Sequence, residues 1–339
     1  MSYKSKFVVS HVSAFLILRI ARGYNASIQK SNISLSNTRK PKSNEITKIK
    51  ELIFFIYKKQ LKIDCLCFDT NKRCKLQSVK NHVVQTDIPQ KSFVSITTNN
   101  TKLQELIFDH IVIPSPALLF LQLCETFSVY DAMLFGMELC GTYTIAGPKD
   151  DHKLINVLQY TTARAIKQGI SCLKGKHIKG IKKAIIASKT INDNSASPAE
   201  SKLYLMLCGP RYLGAYQIKK FSLNKAILPS YQAQNISGQK RIKPDMCNSH
   251  YKVAIEYDSK KYHENVVQSQ KDKRRKDALL YDKWKVYTIV PAQIRNRYIM
   301  NSIANKLLIA CKQEPRIYAK NFCKKQNALF TAFFDRDAI

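Results

Sequence analysis

The sequence predicts a mixed α/β (α+β) protein. Its C-terminal part reads as an α–β–β–α–β–α core around a small mixed sheet, preceded by a smaller mixed α/β domain. Three observations carry that expectation. The chain has 339 residues, 45% of them hydrophobic and 10% aromatic, enough for two ordinary domains with real cores. Stretches with a helical hydrophobic period are interspersed with alternating, strand-like ones. Gly147-Pro148, followed by the charged run KDDHK, punctuates the chain between two such series.

The elements follow in order. Residues 7–20, FVVSHVSAFLILRI, are apolar but contain His11 and Arg19. The stretch is too short to span a bilayer and no small-residue cleavage site follows, so it reads as a buried N-terminal segment of a cytoplasmic protein. Residues 25–46 are rich in Ser, Asn and Lys and read as loop or linker, which makes 1–46 an N-terminal segment plus polar linker.

A helix is expected over about 47–61. Residues 62–97 alternate as strands, LKIDCLCF and KSFVSIT being the clearest. Ser115 before Pro116 is an N-cap followed by a proline at the first helical position. That helix runs to about Phe127; a second starts at Ser128 and stops near Cys140, before Gly141. Together these define a domain over 47–148.

Residues 149–194 read as a basic helical connector. Its HIKGIKKAIIASK stretch carries Lys179, Lys182 and Lys183, either as a solvated face or toward phosphates. Over 195–315 come a helix (197–208), strands at 241–246 and 251–258, a helix (265–283), a strand (284–290) opening at Trp284 as a core residue, and a helix (294–312). Residues 316–339 are left as a tail. There is no repeat and no glycine-rich phosphate loop, glycines numbering only 10.

Composition narrows the partners. Lys and Arg number 56 against 24 Asp and Glu, a formal charge of +32. Such an excess favours a polyanion, most simply nucleic acid, although the abundance of Lys, Asn and Ile would also follow from an AT-rich genome. The ten cysteines are scattered in a chain too large for a disulfide-stapled miniprotein. Cys65, Cys67 and Cys74 with His82 have a faintly metal-like grouping, but lack a C-x-x-C pair and sit in an apolar stretch, as ordinary reduced cysteines do.

Against this basic background, KPDMCNSHYKVAIEYDSKKYH (243–263) concentrates carboxylates. Strand alternation puts Ala254, Glu256 and Asp258 on one face, with the two carboxylates about 7 Å apart along the strand. If the strand ending at Asp245 pairs as a hairpin, a third carboxylate arrives from the side. Like charges that close raise one another's pKa unless a cation neutralises them. Hard divalent ions such as Mg2+ take oxygen ligands, and a metal so held activates water at a phosphodiester. The plainer alternative makes Asp245 a turn residue and pairs Glu256 and Asp258 with Lys260 or Lys261 on a wet strand end.

The ordered set Pro244-Asp245, AIEYDSKKYH and KDKRRKDALLYDKWKVYTI, spanning roughly 195–312, resembles the very-short-patch-repair-like branch of the PD-(D/E)XK restriction-endonuclease-like superfamily. The resemblance implies metal ligation by Asp245 and Glu256, with Asp258 as a further ligand or water-orienting group. It implies acid–base chemistry or phosphate contact for His263, or else His263 is a loop residue packed on Tyr262. Glu200 matches the family's first-helix acid, yet Ser197-Pro198-Ala199-Glu200 is equally a capping box. Arg275, with Asp272 a turn earlier, matches the basic helix and is either a phosphate contact or a surface i,i+3 pair. Lys271 and Arg274 on the same helix, and Lys260 and Lys261 in the loop, are the other expected contacts with nucleic acid. The sequence departs from the parent motif at Asp258, where that motif has a lysine. Residues 110–145 resemble the middle of AbiEi-type antitoxin/regulator proteins.

The resulting expectation is a Mg2+-dependent DNA endonuclease. The alternatives are a catalytically inactive nuclease-fold DNA-binding regulator of the toxin–antitoxin type, and a basic interaction module without nucleic acid. Expected partners are DNA and either a second copy in a homodimer or a toxin–antitoxin partner, with no membrane.

Overall fold

A computed structural model describes residues 6–31, 33, 35, 38–58, 60–67, 71, 73–84, 92–97, 111–146, 153–173, 178–258, 266–314 and 320–335. The chain is mixed α/β and divides into two compact units, one of residues 1–135 and 142–189, the other of 136–141 and 190–339. No helix among the described residues is long and apolar enough to cross a membrane.

The first unit is built on a six-stranded sheet with order β2-β5-β6-β1-β3-β4. Its strands are β1 (Phe7–Val9), β2 (Ser27–Ser31), β3 (Ile63–Cys67), β4 (Val79–Val83), β5 (Phe93–Thr97) and β6 (Ile111–Pro114). The continuous apolar run of β1 has a physical reason, since it lies inside the sheet, parallel to β6 and antiparallel to β3. Helix α1 (His11–Gly23) follows directly and is buried along most of its length. Helices α2 (Ser43–Tyr57), α3 (Pro116–Thr126) and the start of α4 (Val129–Leu139) come next, then the hairpin β7 (Tyr143–Ala146) and β8 (Lys153–Asn156). Ser115 stands at the N-cap position of α3 with Pro116 in the first turn, as the sequence predicts, but its side chain makes no capping hydrogen bond.

Two expectations need correction here. The 25–46 segment is not only linker, because Ser27–Ser31 forms the edge strand β2, paired with β5 over five residues. Its side chains are mostly polar and exposed, so backbone pairing rather than hydrophobic alternation defines it. The 149–194 segment is not an independent connector either. Through Lys189 it belongs to the first unit, with α5 (Ala163–Ser171) burying only Ile166 and Ile170 and α6 (Ile181–Ser188) beside it.

The second unit carries a four-stranded mixed sheet of order β12-β11-β10-β9. In chain order it has α7 (Pro198–Cys208), β9 (Ser222–Leu223), α8 (Tyr231–Ser237), β10 (Met246–Asn248), β11 (Val253–Tyr257), α9 (Val266–Tyr281), β12 (Lys285–Ile289), α10 (Pro291–Arg295), α11 (Arg297–Ala310) and α12 (Lys320–Phe330). β9, β10 and β11 form an antiparallel meander, and α9 then crosses over so that β12 runs parallel to β11. One sheet face packs Cys247, Ala254 and Val286 with Ala278 and Leu279 of α9, Ala233 of α8, and Trp284.

The strand expected at 241–246 begins only at Met246. Pro244 has no N–H to give a ladder, and Ile242 makes an isolated bridge to Ile227 instead. The helix expected at 294–312 is two, broken at Asn296, whose side chain accepts from the N–H groups of Tyr298 and Ile299 to start α11. Nor is 316–339 only a tail. α12 and the π-helical turn Thr331–Asp335 bury Phe322, Gln326, Leu329 and Phe333 at helical spacing. Gln326 Nε2 donates to Tyr216 Oη at 3.0 Å and to Asn301 Oδ1 at 2.9 Å. Gly214, at φ +88, allows this docking, because a Cβ there would lie 2.5 Å from the backbone of Lys325 and Gln326.

Candidate functional site

The site lies across one row of the second sheet. Met246 stands opposite Ile255 in the β10–β11 pairing and opposite Leu223 in the β10–β9 pairing. One row further along, the same registers set Asp245 opposite both Glu256 and Asn224, and the Asn224 N–H donates to the Asp245 carbonyl at 3.0 Å. Glu256 in turn stands opposite Thr288 of β12. Asn224, Asp245, Glu256 and Thr288 therefore form a polar row across the sheet, Asn224 standing one residue after β9 and Asp245 one residue before β10. Alternation puts Asp245 and Glu256 on the face that also carries Cys247 and Ala254, just past the apolar cluster.

The two carboxylates are neutralised unequally. Glu256 Oε1 accepts from Arg275 Nη2 at 2.8 Å, and Arg275 Nη1 also reaches Asp272 Oδ1 at 3.4 Å. Burial raises the pKa of Glu256, while the Arg275 charge and the Asp245 backbone N–H work against that rise. Asp245 Oδ2 accepts from the Tyr257 N–H at 2.7 Å. Its pKa is pushed up to about 7, first by burial and then by the charge of Glu256; the Tyr257 N–H, Glu200 and Arg275 act more weakly, Glu200 in the raising sense.

Glu200 is buried and turns back to the start of its own helix. Its Oε1 accepts from Ser197 Oγ at 2.9 Å and its Oε2 from the Ala196 N–H at 2.9 Å, while Ser197 Oγ takes the Glu200 N–H at 3.1 Å. It is nonetheless joined to the row, because Asn224 Nδ2 donates to Glu200 Oε2 at 2.6 Å. Asn224 went unnoticed in the sequence, since β9 is only two residues long. Its usable signal is an asparagine between two apolar runs, and it adopts φ 47, a left-handed backbone that asparagine tolerates.

Asp258 is exposed, and its N–H donates to the Ile289 carbonyl at 2.9 Å, closing the β11–β12 pair. Lys271 and Arg274 are exposed on α9. His263, Lys260 and Lys261 lie outside the described residues. Trp284 packs in the core cluster.

Among the described residues no group of three or more His, Cys, Asp or Glu side chains is arranged to hold a metal ion. What the row does offer is two adjacent carboxylates, one with no full countercharge. Those are the hard oxygen donors that suit Mg2+, an ion that keeps several waters and needs only one or two protein carboxylates. Cys65, Cys67 and Cys74 are buried. His82 points its Nε2 at Asp64 Oδ1, 3.0 Å away, and stacks on His11 with ring centroids 3.6 Å apart.

Comparison of the chain with protein-family models, with curated proteins and with solved structures gave no match.

Proposed function

We propose that the C-terminal unit is a Mg2+-dependent DNA endonuclease of the restriction-endonuclease-like, very-short-patch-repair-like type. The observation that carries the reading is the cross-strand pair Asp245 and Glu256, two partly buried carboxylates in a strongly basic chain, with Asp245 held at a pKa of about 7. The order of elements supports it: helix α7, an antiparallel meander, the basic crossover helix α9, then the parallel strand β12.

In this reading Asp245 and Glu256 hold the ion, with water and phosphate oxygens completing its shell. When bound, the ion supplies an activated water and neutralises charge developing on the phosphate. Glu200, through Asn224, fixes the Asp245 end of the row rather than meeting the ion. Lys271 and Arg274, exposed on α9, take the DNA backbone, and Arg275 is the countercharge of Glu256 in the metal-free protein.

Purified protein is expected to nick or cut plasmid with Mg2+, and Glu256→Ala to abolish cleavage. Mg2+ should also raise the melting temperature of wild type but not of Asp245→Asn. Inert wild type on single-stranded, double-stranded and mismatched DNA would overturn the reading.

A second reading is favoured by Asp258, which replaces the lysine of the parent motif and is exposed. On it, the fold binds DNA without turnover, as a regulator of the toxin–antitoxin kind. It predicts salt-dependent DNA binding that does not change in Asp245→Ala.

A further inference from the structure

Away from the carboxylate row, the second unit contains a hollow of about 600 Å3 between the start of α11 and the last turns of α12. Its walls include Arg295, Arg297, Tyr298, Asn327, Phe330 and Asp335. We propose that this hollow binds an unpaired nucleotide of a DNA strand, with the base on Tyr298 and the phosphate on Arg295 and Arg297. The proposal rests on the reading of this unit as a DNA-acting domain and specifies the form of strand it takes.

The hollow is an open depression, suited to a group carried on a strand rather than to an enclosed small molecule. The chemistry of the walls is that of a nucleotide. Tyr298 is 71% exposed, a large ring without apolar cover. The Arg297 guanidinium lies 4.8 Å from its centroid, and Nη2 donates to the Tyr298 hydroxyl at 3.0 Å, so the ring is held in place. Arg297 is steadied from its other side by Asn327 Oδ1. A ring fixed this way offers one face for stacking, and every base has a π face to place on it.

Arg295 is exposed, lies over the Phe334 ring at 5.7 Å and pairs with no carboxylate among the described residues. It remains available to a phosphate oxygen. Asp335 makes the hollow a poor trap for a simple anion and gives an acceptor to a base N–H group, such as the ring N–H of thymine. A base inside a duplex keeps both faces in the stack, which is why the unpaired form is specified.

Position links the hollow to the carboxylate row. Arg295 ends α10, which follows β12 immediately, and its charge reaches Tyr257, the neighbour of Glu256 in β11. Because β11 and β12 are parallel, their C-terminal ends share one edge of the sheet, the edge where Glu256 lies. Strand alternation turns Tyr257 away from Glu256, so the hollow and the carboxylate pair share one end of the sheet but not one face.

The test uses full-length protein carrying Glu256→Gln, in EDTA, with three probes: a fluorescein-labelled oligo-dT 12-mer, the corresponding duplex, and free dTMP. Anisotropy should show tighter binding of the single strand. Tyr298→Ala and Arg295→Ala should each weaken it about tenfold, and Arg295→Ala should lower the log–log salt slope by about one. Tyr298→Phe should retain affinity. A 2-aminopurine in the oligonucleotide should be quenched on binding to wild type and Tyr298→Phe but not to Tyr298→Ala. Unchanged single-strand affinity in both alanine variants, equal losses on duplex and single strand, or dTMP binding as tight as the 12-mer would each overturn the proposal. Because the assay is metal-free and without cleavage, failure of the nuclease reading leaves these outcomes separately readable.

Discussion

Each unit draws an aspartate out of water, Asp64 fully and Asp245 in part, near a histidine or another acid, and the two surroundings are opposites. In the first unit Asp64 accepts from Ser13 N–H at 3.3 Å, Ser13 Oγ at 3.0 Å and faces His82 Nε2 at 3.0 Å. Burial alone would raise its pKa, but the hydrogen bonds from His82 and Ser13 win and hold it low. His11, stacked on His82, is kept neutral down to about pH 3 by burial and by its neighbour's charge. Asp245 of the second unit has one hydrogen bond from backbone, a like charge beside it and a pKa of about 7. A carboxylate with enough donors holds a fold together. One left short of donors next to another acid is a place where a cation or proton has something to gain.

The comparison breaks most sharply by mutation. Asp64→Ala removes the carboxylate that accepts from buried Ser13 and faces half-buried His82, and is expected to cost about 3–5 kcal/mol in denaturant unfolding of the first unit. Asp245→Ala, lacking comparable donors to orphan, should be neutral or stabilising in metal-free buffer. Equal losses at both positions would erase the distinction.

The pH dependence should differ in sign. His11 and Asp64 have folded pKa values below their unfolded ones, so the unfolded state binds more protons in acid. Stability in the first unit is therefore lost as pH falls from about 6.5 toward 3. Asp245 has a raised folded pKa, so the native state binds the extra proton and stability in the second unit declines as pH rises from about 4 to 7. Asp245→Asn should then stabilise metal-free protein by about 1–3 kcal/mol at pH 8 and by little at pH 4. Hydrogen exchange resolved by unit, run at both pH values, checks the opposite slopes.

A smaller effect sharpens the role of Arg275. Arg275→Ala removes the countercharge of Glu256 and should cost about 1–2 kcal/mol at pH 8, with most of it recovered in the Arg275→Ala/Glu256→Gln double variant. The smallest is Ser197→Ala, expected to cost about 1 kcal/mol through the lost cap of α7 and to free Glu200 from one of its donors. A loss confined to that level, with Mg2+ stabilisation intact, fits Glu200 as a helix-start residue.

Period and capping were legible because they are local. The alternation in VAIEYD fixes Glu256 on the face of Ala254, and Ser197 followed by Pro198 and Glu200 fixes the start of α7, each from sterics and hydrogen bonds within a few residues. Pairing is not local. That Asp245 stands opposite Glu256, that the short β9 brings Asn224 to Glu200, that Arg275 of α9 ends on Glu256, and that the last helix docks through Gln326 were decided only in the folded chain. Those choices depend on which distant surfaces bury one another. A two-residue strand, a polar edge strand or a glutamine on a helix carries too little pattern of its own to specify its partner.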